Sequence, residues 1–114
     1  MKSTYLDLAF EESWVIYIDN GLKVIKKHLI GKGGVDFTPM DVKSVLKMGL
    51  ECSARSIILT HNHPSGTLKA SEADIEITYK MHQASLLVDM EVCDHLIFTD
   101  SGYFSFRDEG LLEF

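Results

Sequence analysis

Apolar positions along the chain fall into short runs that alternate between two periods. Trp14-Val15-Ile16-Tyr17-Ile18 is β-branched and aromatic and of strand length. Asp19-Asn20-Gly21 ends it, and Asn-Gly is a strong hairpin signal because both turn positions of the tightest hairpin want positive φ. A second strand is predicted from Leu22 to Ile30, followed by the glycine-rich connection Gly31-Lys32-Gly33-Gly34. That connection lacks the spacing and the following Ser/Thr of a phosphate-binding loop. Thr38-Pro39-Met40-Asp41 predicts a helix start, with Thr38 as cap, Pro39 at the first helical position and Asp41 at the positive end of the dipole. Val42, Val45, Leu46 and Leu50 then mark one helical face, and the helix should stop near Ala54.

Ser56-Ile57-Ile58-Leu59-Thr60 is a continuous apolar run, the signature of a strand buried on both faces. A second helix is predicted from about Ser71 to Asp89. Ile75, Ile77, Tyr79, Met81, Ala84, Leu86, Leu87 and Val88 make it apolar around most of its circumference, so it should be largely buried. Val92 to Thr99 reads as a strand, Asp100-Ser101-Gly102 as a turn, and Tyr103-Phe104-Ser105-Phe106 as the returning strand. The order β-β-α-β-α-β-β predicts an α/β domain, a mixed β-sheet flanked by helices. Repeats, linkers and low-complexity tracts are absent, and residues 1–114 read as a single domain.

Composition narrows the functional classes. An apolar fraction of 46% suffices for a core and excludes a disordered segment. No apolar run is long enough to span a bilayer, and the first residues carry no secretory pattern, so a soluble, cytoplasmic protein is expected with no membrane partner. The formal net charge of −6 does not support direct nucleic-acid binding. Lys23, Lys26 and Lys27 are the best candidates for a local basic face, but they read more simply as the solvated edge of a hairpin. Cys52 and Cys93 form no C-x-x-C pair and read as reduced, buried thiols.

The chemistry concentrates in Thr60-His61-Asn62-His63-Pro64-Ser65-Gly66 and Ser71-Glu72-Ala73-Asp74. Histidines at i and i+2 after a buried strand point to one side of an extended backbone, as two imidazoles sharing a metal must. Pro64 and Gly66 turn the chain, and Asp74, in the first turn of the next helix, can supply a third ligand. Two histidines and a carboxylate leave the fourth tetrahedral position for water, which is how a catalytic zinc differs from a closed structural one. Each piece alone has an ordinary explanation. Lone histidines are usually core or surface residues, and Ser-x-x-Asp before a helix is usually a capping box. Their conjunction in one strand–loop–helix unit makes His61, His63 and Asp74 the expected ligands of a Zn2+ ion.

His61-x-His63, seven intervening residues and Ser71-x-x-Asp74 match the signature of the JAMM (MPN+) metalloproteases without a gap. More narrowly, His61-Asn62-His63-Pro64-Ser65-Gly66 resembles the RadC family, the bacterial branch of that superfamily. Pro39 and the helix after it, Ile57-Ile58-Leu59, Asp94-His95-Leu96-Ile97 and Ser105 through Glu109-Gly110 also fall where a RadC domain has equivalents. The resemblance implies a JAB/MPN-like fold, with the layered architecture shared by cytidine deaminases. RadC proteins also carry an N-terminal helix–hairpin–helix region without counterpart here, so a stand-alone or trimmed domain is expected. Where they have Pro-Arg-Glu, this chain has Pro39-Met40-Asp41, which puts any role of that Arg-Glu pair in doubt.

The resemblance also implies roles beyond the ligands. JAMM enzymes use a glutamate on an early strand as general base. The candidates are Glu11 and Glu12, which strand alternation places on opposite faces, and the RadC pattern favours Glu11. Ser71 resembles the serine that stabilises the oxyanion, although it could equally be occupied as the helix cap. His95 is expected to support the site from behind a ligand and not to bind the metal, since binding would close the open position. His28 and His82 have no supporting neighbours.

The resulting expectation is a zinc-dependent hydrolase acting on an amide bond of a peptide, isopeptide or protein substrate. A zinc deaminase is a rival on the same layout, but it needs a His/Cys/Cys site and a glutamate two residues after the histidine. Here that residue is His63, and no Pro-Cys-x-x-Cys occurs. The alternative of another class is a non-catalytic, metal-stabilised interaction module of the RadC type linked to DNA repair or recombination. Substrate, native metal and oligomeric state are not readable from the sequence.

Overall fold

A computed structural model of the chain describes residues 12–32, 40–63, 66 and 68–113. Among the described residues, five strands, β1 (Glu12–Ile18), β2 (Val24–Lys32), β3 (Ser56–Asn62), β4 (Glu91–Thr99) and β5 (Gly102–Ser105), and two helices, α1 (Val42–Glu51) and α2 (Glu72–Leu87), follow one another in the expected β-β-α-β-α-β-β order. The sheet runs β2-β1-β3-β4-β5. Strands β3 and β4 pair in parallel, joined through α2, and the other described pairs are antiparallel, so the sheet is mixed.

Alternation along β1 and β3 decides where the core lies. Val15 and Tyr17 face Leu59 and Ile57 across the ladder, and all four are fully buried. Val45 of α1 and Met81 of α2 join them in one cluster, so both helices pack on this face of the sheet. Each such side chain removed from water contributes about 1.5–3 kcal/mol. The Tyr17 hydroxyl reaches through the core to donate to the Val45 carbonyl at 2.8 Å. Burial, followed by the Cys52 thiol beside it, raises the Tyr17 pKa well above the ordinary tyrosine value. Gly49 lets α1 approach this closely: a Cβ there would stand 2.6 Å from Met90 Sδ and 3.3 Å from Tyr17 Cε1. On the other face, Trp14, Ile16, Ile18 and Ile58 are half-buried, and no helix among the described residues covers them. Among the described residues, helices cover β3 on one side only.

Local chemistry departs from expectation at three points. The β1–β2 turn does not put its positive φ on Asn20-Gly21. The left-handed residue is Leu22, at φ 63°, and the Asp19 carboxylate holds the turn by accepting from the Gly21 and Lys23 amides at 2.9 and 3.0 Å. Helix α1 is capped by Asp41, whose Oδ2 accepts from the Ser44 amide and hydroxyl. The Ser44 hydroxyl bond chiefly lowers the Asp41 pKa. The expected cap Thr38 and first-turn Pro39 lie outside the described residues.

The third departure is α2, which is not buried all round. Ile75, Tyr79, Leu86 and Leu87 are exposed, Leu87 to 87%. Its buried stripe is Asp74, Thr78, Met81 and Ser85, three of them polar. A helix that turns polar side chains inward and apolar ones outward is packing for chemistry as well as for core burial. No helix among the described residues is long and apolar enough to cross a membrane. Lys23, Lys26 and Lys27 are exposed on or beside β2, the edge strand, as a solvated hairpin edge would be.

Candidate metal centre

Strand β3 runs two residues past its apolar run, so His61 lies within the sheet and His63 just beyond it. Ser13 of β1 faces His61 across the ladder, which places the His61 side chain on the helix-covered side. The His63 amide donates to the Phe98 carbonyl of β4 at 2.8 Å, and the Gly66 amide donates back to the His63 carbonyl at 3.0 Å. Gly66 has φ +84°, the left-handed backbone that its missing Cβ permits.

At the far end of the connection, Ser71 caps α2 and Asp74 completes a reciprocal capping box. Ser71 Oγ accepts from the Asp74 amide at 3.0 Å, and Asp74 Oδ2 accepts from the Ser71 amide at 2.9 Å. The box fixes the carboxylate through Oδ2, on the side of His63, and leaves Oδ1 facing His61. Capping does not exclude the oxyanion role: it uses an acceptor lone pair of the Ser71 hydroxyl, whose own proton can still be donated.

Three donor side chains converge. His61 Nε2 is 2.9 Å from His63 Nε2 and 3.3 Å from Asp74 Oδ1, and His63 Nε2 is 3.4 Å from Asp74 Oδ2. Both His61 and Asp74 are fully buried, and the His63 side chain is 12% exposed. Asp74 Oδ1 is buried and receives no hydrogen bond from the described residues, a costly state for a carboxylate oxygen unless something else satisfies it. Tetrahedral ligands about 2.0–2.2 Å from a divalent ion stand about 3.3–3.6 Å apart. The two histidine–carboxylate separations match, each to a different oxygen of Asp74, and the histidine pair is slightly closer. Donor set, spacing and orphaned oxygen all fit a cation, and the His61-His63-Asp74 group could hold a metal ion.

The electrostatics agree. Burial opposes charge on Asp74, but contacts from His61 and His63 outweigh it and hold the carboxyl well below the usual carboxylate range. Burial lowers the His61 pKa, opposed in part by Asp74. The site thus favours an anionic Asp74 and a neutral His61, the protonation states that ligands need.

His95 does not join the donor triangle. It stands behind His61, with its Nε2 2.8 Å from His61 Nδ1. Its other nitrogen is 2.6 Å from the Thr78 hydroxyl, one turn after Asp74 on α2. Thr78 is the site residue that the sequence reading missed. The available signal was its i+4 spacing from Asp74, which puts both on one helix face. Of the two early acids, Glu12 takes the opposite face of the sheet from Ser13 and His61. Its amide donates to Asn62 Oδ1 at 2.6 Å, and its carboxylate accepts from the Trp14 indole at 3.0 Å. Glu11 lies outside the described residues.

A mixed sheet with two histidines at the end of a central strand and an acid on the next helix is an α/β fold consistent with a domain of the JAB/MPN class. Within it, the chain belongs to the RadC family: the RadC-like JAB domain matches residues 1–111. A UPF0758 protein of Flavobacterium johnsoniae is 48% identical over 105 residues, 92% of this chain and 46% of the relative. Another, of Porphyromonas gingivalis, is 44% identical over 107 residues, 93% of this chain and 47% of the relative. The chain thus spans about half the length of these curated relatives.

Proposed function

We propose that this chain is a zinc-dependent hydrolase of the JAMM type, cleaving an amide bond in a peptide or protein. The observation that supports this most is the donor triangle of His61, His63 and Asp74 with its orphaned carboxylate oxygen. Three protein donors of this kind leave one tetrahedral position for water or substrate. Zinc there would supply Lewis acidity and lower the pKa of water towards about 7.

The residues of the chain would do the remaining work. His61 and His63 bind as neutral donors, and Asp74 balances part of the ionic charge. Ser71, held by its cap, would donate its hydroxyl proton to the oxygen on which charge develops. Glu11 would accept a proton as the carbonyl is attacked and deliver it to the departing nitrogen. Glu12 suits that task poorly, because its carboxylate is engaged with Trp14 on the other face of the sheet.

Metal content by plasma mass spectrometry on untagged protein tests the reading. About one zinc per chain is expected, lost in His63→Ala. No metal after zinc is supplied and excess dialysed away would overturn it. Bound zinc with no cleavage of any peptide or isopeptide library would favour a metal-stabilised interaction module.

A further inference from the structure

We infer that Thr78, acting through His95, fixes the tautomer of His61 so that its Nε2 lone pair faces His63 and Asp74. The chain of bonds has one consistent direction. Thr78 Oγ donates its proton to the Asp74 main-chain carbonyl at 2.6 Å. That hydroxyl proton is spent, so at the 2.6 Å contact with His95 Nδ1 the hydroxyl oxygen accepts and His95 carries its proton on Nδ1. The ring is fully buried between Thr78, His61 and the face of Phe106. A neutral ring with Nδ1 protonated offers a lone pair at Nε2, which accepts from His61 Nδ1 at 2.8 Å. His61 therefore keeps its proton on the side away from the donor triangle.

Thr78 is thus a positioning residue. Unusually, the relay ends on the backbone of Asp74, itself one of the three donors. One ligand's carbonyl sets, through two side chains, the proton position on another. A ligating histidine generally needs its second nitrogen held by an acceptor, and losing such support typically costs 10–100-fold in metal affinity. Here the acceptor is a neutral imidazole in place of a carboxylate, so the site gains no extra negative charge from its support.

The value of this relay for metal binding rests on the hydrolase reading above, but the tautomer itself does not. Long-range 1H–15N correlation spectra of metal-free protein at about pH 8.5, well above the ordinary histidine pKa, report it directly. The expected pattern is Nδ1–H with an unprotonated Nε2 for both His61 and His95. Thr78→Val keeps the shape and removes the acceptor. It should mix the His61 tautomers and weaken zinc binding by about 10–100-fold, while Thr78→Ser restores both. His61 protonated on Nε2 in the parent protein, or unchanged tautomers in Thr78→Val, would overturn the inference. Parent tautomers as stated with no zinc uptake would uphold it and sink the hydrolase reading alone.

Discussion

Phe106 lies flat against the ring of His95, the two centroids 4.6 Å apart and the planes 16° from parallel. The stack closes the relay from the side of β5. Phe106 is held there by Asp94, whose Oδ1 accepts from the Arg107 amide and whose Oδ2 accepts from the Ser105 hydroxyl, at 3.0 and 2.6 Å. The Asp94-His95 pair therefore works as a unit: one residue pins the turn that covers the other.

Phe106 is fully buried, so Phe106→Ala should cost about 3–5 kcal/mol, through lost transfer energy and the cavity left beside His95. Phe106→Leu should cost less than half of that. Urea denaturation of the three proteins checks it, and equal losses for the two variants would refute a packing role.

The metal-free protein should lose stability as pH falls. Burial lowers the His95 pKa well below its ordinary value, with His61 adding to the effect, and burial also lowers that of His61. Between the folded values and the unfolded value of about 6.5, the unfolded chain binds more protons, so stability rises with pH by up to about 1.4 kcal/mol per unit per ring. It should level off above about pH 7. Asp74, depressed in the folded state, adds stability that is present above about pH 3.9 and lost below it. Denaturant midpoints in chelator at pH 5 and pH 7.5 should differ clearly, and a flat profile would mean that the histidines are charged in the fold.

The cluster of three donor side chains is legible in the sequence because it is a local pattern. His61, His63 and Asp74 belong to one strand–loop–helix unit, and strand period and capping rules place them without knowledge of the sheet. What was not legible depended on contacts between distant segments. Hydrophobicity alone makes α2 buried all round, yet Thr78 faces inward because His95 awaits it, and Ile75 and Leu87 are left outside. Nothing local says that β1 inserts between β2 and β3. The Asn-Gly pair promised a tight turn, but the Asp19 carboxylate organises a longer one.

That turn yields a stabilising substitution. Leu22 is 84% exposed and sits at φ 63°, where a side chain with a Cβ costs about 1–2 kcal/mol relative to the ordinary backbone regions. Leu22→Gly relieves this at some cost in unfolded-state entropy and should raise stability by roughly 0.5–1 kcal/mol. A lower melting temperature in the variant would contradict this account of the turn.

Chelation gives the largest expected effect. A ligand present at a thousandfold above its Kd stabilises the folded state by about 4 kcal/mol, which for a domain of this size is a melting shift of roughly 10–20 °C. Adding zinc to the chelated parent should produce such a shift, and adding it to Asp74→Asn should produce little. Equal shifts in both would place the ion elsewhere.

The capping box that presents Asp74 has a consequence for chain entropy. Its acid is separated from His61 by a single connection, so an ion held by both would close a loop of about 15 residues. A covalent cross-link over that span removes about 3 kcal/mol of freedom from the unfolded chain. The ion would act as a reversible staple between β3 and α2, while the strand pairing that joins β1 to β3 draws on contacts of its own. Removing the ion should therefore loosen one joint before it loosens the sheet. Amide exchange would register this as early opening of the first turn of α2, with the protons of β1 and β3 still protected.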